Sequence, residues 1–102
     1  MELVLIRLTG PPWLRRPRHP ALPTPQLVVD VIWANAVPAD RLEYVHTRAG
    51  PLPASIDLAL FHRLDPRRPS IGATALALCQ RAIANSPSLQ AWTAQPLPPP
   101  EF

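Results

Sequence analysis

Apolar residues fall into five blocks, and the spacing inside each block selects an element. In "ELVLIRL", residues 2–8, they occupy both parities, Leu3 and Leu5 on one face and Val4, Ile6 and Leu8 on the other. This reads as a strand covered on both sides, central in its sheet. "TGPP" ends it, because proline cannot donate to a ladder. In "QLVVDVIWANA" the β-branched content would suit a strand, but Leu27, Val28, Val31, Ile32 and Asn35 recur at helical spacing. Thr24 as N-cap with Pro25 at the first helical position favours the helix. "LEYVHTRAG" alternates, "GPLP" breaks it, and "SIDLALFHRL" alternates again, which predicts a hairpin. A register in which paired numbers sum to about 104 sets Tyr44 opposite Leu60 and His46 opposite Leu58, gathering apolar residues on one face. Ser70 is placed to cap a helix over 71–84 whose apolar face is Ile71, Ala75, Leu78, Cys79, Ala82 and Ile83. Asn85 closes that helix. Ser86-Pro87 starts one more turn, which brings Leu89 and Trp92 onto the core.

The order is strand, helix, strand, strand, helix: an α+β, βαββα chain. A strand-helix-strand unit implies a right-handed crossover, so the third strand belongs between the first and the second, with both helices on one face. This three-stranded layout resembles the ferredoxin-like arrangement lacking its last strand, with the sheet completed or covered by a partner chain. Residues 1–92 form the single domain, including a proline- and arginine-rich connector at 9–25, and 93–102 form a proline-rich tail without periodicity. Over the last half of the chain, "IDLALF" followed by "LCQRAIANSPSLQAW" resembles small uncharacterised proteins of GC-rich bacteria, a resemblance that implies no activity.

Composition narrows the classes. At 102 residues there is room for one domain, and 47% hydrophobic content excludes a disordered chain. All ten basic residues are arginine, and the net charge is +3. The single cysteine, Cys79, rules out an internal disulfide and fits a reducing cytoplasm. No apolar run reaches the ~18 residues of a membrane span, so a soluble protein without membrane contact is expected.

No constellation for chemistry assembles. His19, His46, His62 and Cys79 have no metal-ligand spacing, Cys79 lies mid-helix on an apolar face, and the seven acids are scattered over separate elements. Gly10, Gly50 and Gly72 make no phosphate-cradling run. The reading is therefore a non-enzymatic interaction or accessory protein, with no catalytic residue, metal or cofactor, acting as a homodimer or as a subunit. The face left without helices is expected to present Val4, Ile6, Leu8, Val45, Ala59 and Phe61 to the partner. The alternative is a nucleic-acid-binding module whose anion-binding groups are Arg15, Arg16, Arg18, Arg67 and Arg68 in two loops.

Overall fold

The computed structural model describes residues 2–14, 22–64, 67 and 70–98. Its elements are β1 (Glu2–Thr9), α1 (Pro25–Asn35), β2 (Leu42–Ala49), β3 (Ser55–His62), α2 (Ile71–Ala84) and β4 (Thr93–Pro96), with 3-10 turns at Pro12–Leu14, Pro38–Asp40 and Pro87–Leu89. All strand pairings are antiparallel, in the order β2-β3-β1-β4.

The first three strands lie in the expected order. The fourth corrects both the three-stranded sheet and the domain boundary at residue 92. Thr93–Pro96 pairs along β1, with Ala94 opposite Leu8 and Pro96 opposite Ile6. Proline in "TAQP" argues against a strand, yet its placement here removes the objection. Leu97 donates its N–H to the Leu5 carbonyl at 2.8 Å. Antiparallel alternation then turns the neighbouring position 96 outward, where a missing N–H costs the sheet nothing.

The hairpin register is one residue away from the expected one. Tyr44 stands opposite Phe61 and His46 opposite Ala59, with an irregularity between Leu42 and Tyr44. A slip of one residue moves a strand's whole side-chain set to the other face. Val45 therefore joins Leu60 in the core, and Tyr44 and His46 leave it.

Ile6 and Leu8 of β1, Ile56, Leu58 and Leu60 of β3 and Val45 of β2 pack against Val28 and Ile32 of α1 and Leu78, Cys79 and Ala82 of α2. Among the described residues no helix lies on the other face of β1, and Leu3 there is 43% exposed, so they cover the strand on one side and not on both.

The helix termini follow their local signals unevenly. Thr24 Oγ1 accepts from Leu27 N at 3.1 Å, and Pro25 opens α1. Ser70 does not cap α2 through its hydroxyl; only its carbonyl takes part, accepting from Thr74 N and Thr74 Oγ1. Asn85 closes α2, donating its N–H to the Arg81 carbonyl. The turn at Pro87–Leu89 buries Leu89 completely and leaves Trp92 4% exposed, as the spacing predicts. Gly10 makes room for that indole: a Cβ there would lie 3.0–3.1 Å from Trp92 ring carbons.

One polar cluster ties the helices to the hairpin end. Arg81 of α2 donates to the Asn35 carbonyl at the end of α1, at 2.9 Å, and to Asp40 Oδ2 at 2.7 Å. Asp40 Oδ2 also accepts from Val37 N, and the Asp40 carbonyl meets His62 Nδ1 at 2.8 Å. A carbonyl only accepts, so Nδ1 carries the ring proton. Nε2 of His62 is buried without a partner among the described residues.

Candidate interaction face

Cross-strand pairing arranges the helix-free face in rows, because directly paired residues share a face. The first row is Tyr44, Phe61 and Leu3; the second is His46, Ala59 and Leu5, extended by Leu97; the third is Arg48, Asp57, Arg7 and Gln95. A hydroxyl row, Thr9 and Thr93, follows beside Ser55. One end is thus aromatic and aliphatic, the middle is charged, and the far end is polar.

Tyr44 and Phe61 stand with ring centroids 5.8 Å apart and planes tilted by 52°, a favourable geometry for the aromatic quadrupole. Tyr44 is nonetheless 56% exposed. In the charged row Arg7 grips Asp57 with both fork positions, Nε to Oδ1 at 2.8 Å and Nη2 to Oδ2 at 3.1 Å. The hydrogen bond to Asp57 raises the Arg7 guanidinium above its ordinary value, against a smaller opposing effect of desolvation. Arg48 approaches the same carboxylate only to 3.9 Å, beyond hydrogen-bond reach, and its side chain is 76% exposed. Between these rows lies a hollow of about 290 Å³ walled by Leu5, His46, Arg48, Asp57, Ala59 and Leu97.

The residues expected on this face divide between two surfaces. Ala59 and Phe61 belong to it. Ile6, Leu8 and Val45 are buried on the opposite side against the helices, and Val4 is packed against that core. The error arose at β1, where both parities are apolar and alternation gives no preference, and at β2, where the irregularity shifts the register. Leu3, Leu5, Tyr44 and Leu97 were missed; the odd-numbered parity of β1 was the available signal for the first two.

Of the arginines in the two loops, Arg67 is exposed, and Arg15, Arg16, Arg18 and Arg68 lie outside the described residues, as does His19. His46 is exposed on the open face, whereas His62 is buried with 1% exposure. Among the described residues no three metal-ligating side chains cluster, and no helix is long and apolar enough to cross a membrane. Cys79 is buried, and desolvation pushes its thiol up to about 12, which keeps it protonated and unreactive at neutral pH.

A larger hollow, about 440 Å³, lies at the junction of α1 and β2, where Trp33, Val37 and Leu42 meet Glu43 and Arg63. Arg41 also lines it, and Arg63 approaches Glu43 at 3.9 Å.

Compared with known proteins, the chain matches no family model, no curated protein and no solved structure.

Proposed function

We propose that this chain is a non-enzymatic association module of ferredoxin-like type, βαββαβ with its fourth strand present, that pairs with a second copy through its open sheet face. The observation that carries this reading is the apolar end of that face. Leu3 and Tyr44 are each close to half exposed beside Phe61, Leu5, Ala59 and Leu97, and no described element covers them. Contiguous apolar surface of this kind marks an interaction site.

Size and symmetry favour a second copy as the occupant. Three strands of eight residues and one of four, ~4.8 Å apart at ~3.4 Å per residue, offer on the order of 450 Å² per partner, or ~900 Å² in total, the size of a weak, concentration-dependent pair. A two-fold axis lying between the two sheets and parallel to the strands lets the same rows meet themselves, so an apolar patch finds an apolar patch without a partner of special charge.

Sedimentation velocity over a concentration series tests the reading. A concentration-dependent dimer is expected for the natural sequence, and a folded monomer for Phe61→Asp. A natural chain that remains monomeric at high micromolar concentration removes it.

A further inference from the structure

We infer that the hollow in the open face is an anion site, that its ligand is a small monocarboxylate with an apolar body, and that this ligand is bound most tightly when two copies meet. The inference deepens the proposed pairing and rests on it for the coupling, though not for the site itself.

The site starts from a charge imbalance. On the open face the described charged groups are Arg7, Arg48 and Asp57. Arg7 takes both oxygens of Asp57, at 2.8 and 3.1 Å. Arg48 stands in ion-pair range of the same carboxylate, at 3.9 Å, but makes no hydrogen bond to it, so two guanidinium groups share one carboxylate. Each copy therefore carries one excess positive charge at the centre of the surface that the pairing would bury. Two copies carry two, and burying an unmatched charge is strongly unfavourable. An anion seated against each Arg48 removes the imbalance.

The chemistry of the walls selects the anion. A guanidinium matches a carboxylate by two parallel hydrogen bonds. Beside the Asp57 carboxylate, which Arg7 already holds, the walls are apolar, with Leu5, Ala59 and Leu97 on the sides and the His46 ring at the edge. Fully hydrated inorganic anions gain nothing from such walls, whereas a short aliphatic chain or a single ring does. At about 290 Å³ the space lies below the ~300–1,000 Å³ typical of drug-sized ligands, which keeps the ligand small.

Ligand binding and association are then linked, each strengthening the other by the same factor. The test compares sodium benzoate with sodium chloride at equal ionic strength, so that screening is the same in both. In sedimentation equilibrium the dimer dissociation constant of the natural chain is expected to fall about fivefold or more in benzoate. Arg48→Gln removes the excess charge, so this variant is expected to associate in chloride at least as well as the natural chain, with no further gain from benzoate. Equal association of the natural chain in both salts, or an equal gain in Arg48→Gln, overturns the inference while leaving the pairing in place. A chain that is monomeric throughout defeats the pairing, and an amide chemical-shift titration with benzoate then tests the site alone. Shifts centred on Leu5, Arg48 and Ala59 that vanish in Arg48→Gln uphold it, and their absence overturns it.

Discussion

Trp92 illustrates how far one side chain can decide the stability of a small domain. It fills the end of the core at 4% exposure, its ring lying over Gly10. Truncating a buried tryptophan costs ~3–5 kcal/mol, so Trp92→Ala is expected to remove a large part of the ~5–15 kcal/mol typical of a whole domain, read by urea denaturation. The indole N–H has no partner among the described residues. Trp92→Phe keeps an aromatic ring in the core and removes the unpaired donor together with part of the indole, so it should cost less than the alanine variant. Cys79 makes a pH prediction. Its thiol titrates at about 12 in the folded protein, up from 9.0, because burial disfavours the thiolate. The folded state therefore holds the proton more tightly than the unfolded state. This contribution to stability is complete below about 9 and is lost progressively as pH rises towards about 12. Cys79→Ala has no thiol to ionise, and its unfolding free energy should fall less steeply than the natural chain's over that window.

Among the elements, β4 carries the most testable claim. Leu97 N bonds to Leu5 O, and alternation makes Gln95 the next position whose N–H points at β1, opposite Arg7. Gln95→Pro deletes that donor and is expected to destabilise the fold by about 1 kcal/mol or more. Pro96→Ala, one residue on, acts on an outward N–H and should leave the melting temperature nearly unchanged. Equal losses from the two would contradict the register. The strand was not legible beforehand because four residues with a terminal proline give neither alternation nor length. Both helices were legible, since Val28 and Ile32 in one and Ala75, Leu78, Cys79 and Ala82 in the other repeat at helical spacing along the buried side. Of the cap residues, Thr24 performs as its type suggests and Ser70 does not.

For the assembled molecule, pairing has a thermodynamic signature independent of hydrodynamics. A dimer that binds only folded protein makes the melting temperature rise with protein concentration. The natural chain is expected to show this rise. Phe61→Asp, which places a carboxylate between Leu3 and Tyr44, is expected to show none. Its own unfolding at low concentration should stay cooperative, since Phe61 lies outside the helix-packed core.

Much of this architecture followed from local chemistry. Alternation in residues 55–62, helical spacing after Thr24 and after Ser70, and a crossover that admits one handedness are enough to order β2, β3 and β1 and to set both helices on one face. Those signals are short-range, and each is written in consecutive residues. Which face of β1 goes inward was different in kind. Val4, Ile6 and Leu8 compete with Leu3 and Leu5 on nearly equal terms, and the choice falls to the helices, whose Val28, Ile32 and Leu78 cover the even-numbered side. The pairing of Arg7 with Asp57 joins residues fifty positions apart. It needs the antiparallel register of β1 on β3, which no window along the chain contains. The open face, with its apolar end and its two arginines around one carboxylate, exists only after four strands have been laid side by side. Its ingredients were present in the sequence, but their adjacency is a product of the folded sheet.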